Sequence, residues 1–596
     1  MKKFLESSGQ AYQSEVNKCS KLAGILVAIR GTLGLMIALS IYWLIRDNSL
    51  NYIYWLLPVM TALFLFLVVY HGKVKAKLDF YTSLVSEIEF EKDFLKTRRS
   101  DRENGSDYAK SDHDFAHDLD LFGTASLFQY LNRCFTYFGK NRLAADMQQI
   151  PDRNVIIIRQ NAVKELSEWP DFMMRFRATA ALSSVGKSRT EAVLAWLEED
   201  DKSVSPWRRI LSYVLPASFV LSVFLYVFTK DQMYYSTTIL LFLANLANVA
   251  SVGKDIKKVL AFSDEVEKTL KSFSRLITLC LNESFHSEAL VTIKSSLMEE
   301  GGADLKLGKL SSIFNNLNTA ANPMGLILVS GSLQFHLHAY HALINWKQKN
   351  GILVRHWFER IGEMESLISL GNFGAGNESF VFPELNEEKR INIKAGGHPL
   401  LPESKRVTND FSLDADGFII LTGSNMAGKS TFLRTIGTHM VLTGLGAPIC
   451  ARAASIDPCH LLVSMGISDS LDDSQSYFFA EILRLKHILD TLRGQRCLIL
   501  LDEILRGTNS QDKTAGTMAF IDQLMAASAC GILATHDLEV CNMQKKYPDQ
   551  IANKHFASEV VDGQLYFDYK IKDGICQSRN AMYLLEKNGV IQTTID

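Results

Sequence analysis

The sequence predicts a multidomain protein: a C-terminal α/β P-loop nucleotide-binding domain, preceded by a mostly α-helical region that carries two transmembrane helical hairpins. Three observations predict this class. Four apolar segments occur in two closely spaced pairs, and the soluble stretches around them have helical apolar spacing with few glycines. After Gly371 the texture changes to short strands and glycine turns, and one strand runs into a G-x-x-x-x-G-K-S string. At 596 residues the chain exceeds one ordinary core. It divides into an N-terminal segment (1–21), a first hairpin (22–70), a charged linker (71–118), a helical core in two parts (119–206 and 253–371) around a second hairpin (207–252), and the nucleotide-binding domain (372–596).

Each hairpin follows from length and polarity. Residues 22–45 are apolar except for Arg30, and 54–70 repeat the pattern after a short polar loop. Residues 210–228 and 234–252 form the second pair, joined by TKDQM. A helix needs about 20 apolar residues to cross the hydrocarbon, and all four come close. Arg30 costs roughly 2.5–3.5 kcal/mol on insertion scales, which the surrounding leucines, isoleucines and valines offset. His71, Lys73, Lys75 and Lys77 follow the first pair, Arg208 and Arg209 precede the second, and Lys254, Lys257 and Lys258 follow it. The positive-inside rule puts these ends in the cytoplasm, with both termini, in a multi-pass protein of the cell inner (cytoplasmic) membrane. The first segment lacks the cleavage motif of a signal peptide.

Between the hairpins, the run TRRSDRENGSDYAKSDHD at 97–114 reads as an exposed linker. The nine cysteines include no C-x-x-C pair and read as reduced thiols, not zinc ligands or a disulfide framework. A net charge of −2 gives no global basic field, so nucleic acid would have to be met by a local patch.

The nucleotide site is carried by three strand ends. FIILT at 418–422 leads into Gly423, Ser424, Asn425, Met426, Ala427, Gly428, Lys429 and Ser430, then Thr431 and a helix-like stretch. Glycines let backbone N–H groups turn inward around phosphate, Lys429 reaches the outer phosphates, and Ser430 offers a hydroxyl to Mg2+. CLILL at 497–501 ends in Asp502, expected to hold Mg2+, and Glu503, expected to polarise the attacking water as general base. A third apolar strand, 531–534, ends near His536, a candidate sensor of the γ-phosphate. ATP and Mg2+ are the expected substrate and cofactor.

The strings TGSNMAGKSTFLRTIG, LLDEILRGTNSQD and ATHDLEV resemble the Walker A, Walker B and histidine-switch regions of the MutS family, an ABC-like ATPase fold. GISDSLDDSQSYFFAE at 466–481 resembles that family's signature loop, with Ser476 at the signature serine; Gln475 and Tyr477 depart from the arginine and threonine common there. GGHPLL and VTND, upstream, resemble the approach to the same domain, and residues 126–166 are more weakly similar to the start of the family's core and lever domain. The resemblance implies a homodimer through the ATPase domains, with Ser476 reaching the partner's nucleotide. It also implies duplex or branched DNA as substrate in mismatch repair or recombination, with Arg133, Lys140, Arg142, Lys309 and Lys347 as candidate phosphate contacts. The mismatch-reading N-terminal domain has no counterpart before the core, which leaves a second expectation: a membrane-tethered mechanical or signalling ATPase acting on a protein or lipid partner without DNA. No LSGGQ-like string supports a fused transporter.

Overall fold

A computed structural model of the protein describes all residues except 47–50, 111, 183–185, 200–204, 320–330, 425, 467–476, 507, 562–563 and 577–596. The first two helices, Lys2–Arg46 and Asn51–Thr97, are 45 and 47 residues long. At 1.5 Å per residue each extends about 70 Å, roughly twice the hydrocarbon thickness. Their apolar windows have mean hydropathies of 2.1 and 1.8, yet only 11% and 0% of those windows is buried. The helices Pro206–Thr229 and Gln232–Ala250 repeat this, with 17% and 11% buried. A soluble core would cover such surfaces. All four helices are long and apolar enough to cross a membrane. Arg30, the one cation in the first window, meets His71 Nδ1 at 3.0 Å and lies near the Phe64 ring.

Beyond the apolar windows the first two helices continue as a stalk. Leu5, Leu84 and Ile88 pack with Met174 and Ala178 of the helix Pro170–Ala181. Tyr12 donates to Asp171 at 2.6 Å on the same helix. Residues 71–97, at the start of the expected charged linker, are therefore helical, and two of their acids are buried. Glu87 and Glu91 are 4% and 1% exposed. Arg102 and Arg177 each meet Glu87 at 2.7 Å, while Arg133 and Arg177 meet Glu91 at 2.9 and 2.8 Å. Burial works to raise the Glu91 carboxyl, but the two guanidinium groups outweigh it and hold the group at about 2. The rest of the linker is tied down as well. Asp114 accepts from His460 and His487, both at 2.8 Å, and Asp118 accepts from the Met465 N–H.

The C-terminal region contains two sheets. A four-stranded sheet has the order β1 (Glu384–Leu385), β5 (Ala453–Ile456), β2 (Ile391–Gly396), β3 (Asn409–Leu413). A six-stranded sheet has the order β10 (Gln564–Asp573), β9 (Ile551–Val561), β4 (Phe418–Gly423), β8 (Cys530–Thr535), β7 (Cys497–Asp502), β6 (His460–Ser464). In the latter only β10 is antiparallel. The central strands β4, β7 and β8 are buried along their whole length, which is why they read as continuous apolar runs.

One hydrophobic cluster runs from the helical region into the sheets. Its contact point is the helix Lys429–Gly444, of whose 16 residues 13 are buried. A Cβ on Gly437 would lie 2.6 Å from Leu119. Just past the helix, Gly446 has φ +70°, and a Cβ there would lie 2.6 Å from the Gln160 nitrogen. Only glycine meets both demands. All nine cysteines are free thiols.

Candidate nucleotide site

The three expected strand ends converge. β4 lies between β8 and β9, and β7 pairs with the other edge of β8, all parallel, so their C-terminal ends open on one side of the sheet. At the end of β4 the chain turns through Gly423, where a Cβ would lie 3.0 Å from the Phe556 carbonyl oxygen. It enters the helix through Gly428, which caps the helix N-terminus at φ 102°. Between them Met426 takes a left-handed conformation, φ 70°, with its side chain 84% exposed.

Lys429 is 6% exposed and donates to the carbonyl oxygens of Gly423 at 2.9 Å and Ser424 at 3.3 Å. Burial lowers its pKa, opposed by Asp502 and Glu503. Ser430 donates to Asp502 Oδ2 at 2.5 Å. Glu503 stands in a left-handed conformation, φ 51°, unusual for a non-glycine residue and typical of active-site strain. Its Oε1 lies 2.9 Å from His536 Nε2, and that nitrogen is also 3.0 Å from Lys429 Nζ. One nitrogen cannot both donate to a carboxylate and accept from an ammonium. Lys429 already has two carbonyl acceptors, so the Nε2–H tautomer, donating to Glu503, satisfies all three groups. The hydrogen bond from His536, with a smaller push upward from burial, holds the Glu503 carboxyl at about 2.

These groups line one cleft of about 940 Å³. Ser424, Met426, Gly428, Lys429, Ser430, Thr431, Asp502, Glu503 and His536 all face it. Gly423 contributes its carbonyl behind Lys429, and Ala427 is buried in the loop, its N–H donating to the Ser424 carbonyl. Asn425 and Ser476 lie outside the described residues. Several participants carried no local signal. Arg506 donates from Nε to the Glu503 carbonyl at 3.0 Å and from Nη2 to the Asp502 carbonyl at 3.1 Å, fixing the turn that carries both acids. Glu481, 4% exposed, accepts from the Leu505 N–H at 2.6 Å and joins the helix Tyr477–Leu492 to that turn. Tyr569, on β10, stands over Gly428, and His398 closes the far wall; burial pushes the His398 imidazole down to about 4, so it is neutral near pH 7.

A glycine-bounded loop between a buried parallel strand and a helix, with lysine and serine at the helix start and two acids on a neighbouring strand end, defines a P-loop site of the ATPase type. Residues 419–596 match the family model MutS domain V. This C-terminal part of the chain is similar to MutS-family proteins. It is 31% identical to the DNA mismatch repair protein MutS of Staphylococcus haemolyticus over 221 residues, 36% of this chain and 25% of that protein. It is also 31% identical to the MutS of Natronomonas pharaonis, over 40% of this chain and 28% of the relative. Human MutS protein homolog 4 is 28% identical over 34% of this chain and 22% of its own length. The chain thus spans about a quarter of the length of these relatives. The weaker resemblance read in the helical region lies outside the residues that the family model matches.

Proposed function

We propose that this chain is a membrane-anchored ATPase of MutS type, in which two copies close on ATP and transmit its turnover to the membrane-attached helices. The observation that carries this reading is the convergence of Lys429, Ser430, Asp502, Glu503 and His536 on one cleft. Lys429 exchanges its carbonyl partners for the outer phosphates of ATP. Glu503, ionised, accepts the proton of the attacking water, and His536 senses the γ-phosphate by turning its Nε2–H from Glu503 to a phosphate oxygen. The hydroxyl of Ser430 and the carboxylate of Asp502 are the hard oxygen donors that Mg2+ takes, and the pair lies at hydrogen-bonding distance. When bound there, Mg2+ neutralises phosphate charge.

Support for pairing comes from the rim. Met426, which lines the cleft, is 84% exposed, and Phe479, Leu483 and Leu538, on the segments that follow the expected signature loop and His536, are 49%, 44% and 50% exposed, apolar surface suited to a second copy. The partner's Ser476 would complete the nucleotide contacts. The basic ends of all four apolar helices favour a cytoplasmic ATPase domain.

DNA is the second reading, favoured by what the bacterial and archaeal relatives are called. The helical surface offers it little. Arg133 and Lys347 are 3% and 4% exposed, Lys140 pairs with Glu103 and Arg142 with Asp146, leaving Lys309 of the five candidates on the open surface. A Glu503→Gln variant is expected to retain ATP while losing turnover by about 10²–10⁴-fold. Unchanged hydrolysis in it refutes the site. In the wild-type chain, salt-sensitive DNA binding with DNA-stimulated hydrolysis would establish the DNA reading over the DNA-free one.

A further inference from the structure

The stalk formed by the first two helices keeps one register along its length. Gly9 faces Lys92 at one end and Arg30 faces His71 at the other, about 32 Å away along the axis. Between them lies a groove of about 600 Å³ that plays no part in the nucleotide site. Its floor comes from Val85 and Ile88, and its walls from the polar and basic residues Gln10, Gln13, Asn17, Lys18, Lys21 and Lys92. Three lysines stand against one acid, Glu89. A Cβ on Gly9 would lie 2.8 Å from Lys92 Nζ, so that ammonium rests against the bare backbone and closes the far end.

The open end is defined by the sequence. Lys21 directly precedes Leu22, where the apolar run begins, so a bilayer around the hairpin brings its headgroup layer to Lys21. On the facing helix Lys73, Lys75 and Lys77 are exposed about 5–10 Å nearer the apolar windows than Lys21 by the same register. Neither they nor Lys21 form an ion pair among the described residues; Lys18 has Glu15 at 2.6 Å. Clustered unpaired cations next to a membrane helix attract anionic lipid. Of these lysines Lys21, with Lys18, borders a recess whose amides at Gln10, Gln13 and Asn17 supply both donors and acceptors for headgroup hydroxyls.

We propose that this groove is a binding site for the headgroup of an anionic phospholipid, whose phosphate meets Lys21 and Lys18 while its acyl chains lie on the adjacent apolar face. The inference rests on the reading that the first hairpin spans a membrane. It is tested on the full chain, purified in a neutral detergent, by following thermal unfolding against short-chain phosphatidylglycerol, short-chain phosphatidylcholine and inorganic phosphate. Phosphatidylglycerol is expected to raise the melting temperature in a saturable, salt-sensitive way that the other two do not reproduce. The triple variant Lys18→Gln, Lys21→Gln, Lys92→Gln should need about tenfold more lipid or greater, with its affinity for ATP unchanged. An equal response to phosphatidylcholine, a full response to phosphate alone, or an unaltered response of the variant overturns the proposal. The membrane reading fails by a different sign: a chain that stays monodisperse in buffer without detergent.

Discussion

Glu365 illustrates how a single side chain can tie folding to pH. It lies on the long helix Phe335–Gly376, is 1% exposed, and accepts from the N–H groups of Phe135 at 2.6 Å and Thr136 at 3.2 Å, at the start of the helix Tyr137–Met147. Burial pushes its carboxyl up to about 7, against the pull of those donors. A carboxyl whose pKa is higher in the folded chain favours folding when protonated. Its contribution is complete below the ordinary carboxylate range and is lost as pH rises through about 7. Glu365→Gln keeps an acceptor for the two N–H groups and removes the titration. Its melting temperature is therefore expected to fall less than the wild type's between pH 5 and pH 8, and parallel curves would disprove the assignment. At this same scale the nucleotide loop was legible because its residues are consecutive, from Gly423 to Thr431, and each type has one physical job there. Arg506, Glu481 and Tyr569 were not legible: Arg506 acts on the backbone carbonyls of the neighbouring Asp502 and Glu503, which no residue type announces, and Glu481 and Tyr569 act on a backbone N–H and a glycine far along the chain.

The elements divide in the same way. The four apolar helices announce themselves, because length and hydropathy are local properties. The stalk does not: residues 71–97 read as charged, and charge ordinarily means exposure. Glu87 and Glu91 are buried only because Arg102, Arg133 and Arg177 arrive from separate segments to neutralise them, a coincidence no window of sequence displays. Arg133, as a basic residue of the helical region, is by sequence a candidate phosphate contact. Its guanidinium instead sits 4.1 Å from the Phe94 ring centre and bonds to Glu91. Removing one charge from such a cluster strands the others away from water. Glu91→Gln is expected to destabilise the chain by about 3–5 kcal/mol in denaturant unfolding, and a loss under about 1 kcal/mol would show that the cluster does not hold the stalk to the helical core.

At the scale of the whole molecule, the apolar hairpin, stalk, helical region and nucleotide domain are joined through continuous packing. The helix that begins at Lys429 is buried on the sheet side and against Leu119 and Ile150 of the helical region. A change at the phosphate end of this helix is thereby felt by segments that lead to the membrane-type helices. This joining was invisible in the sequence, where the two regions differ in texture and read as separate units. The proposed function depends on the cleft gripping a nucleotide, and equilibrium binding of ATP with Mg2+ to the purified chain and to Lys429→Ala tests that directly. The wild type is expected to bind, and the variant to lose at least about tenfold in affinity, as removal of a buried charge-assisted contact to phosphate requires. No binding by a folded wild-type chain, or equal affinity in the two, would contradict the account.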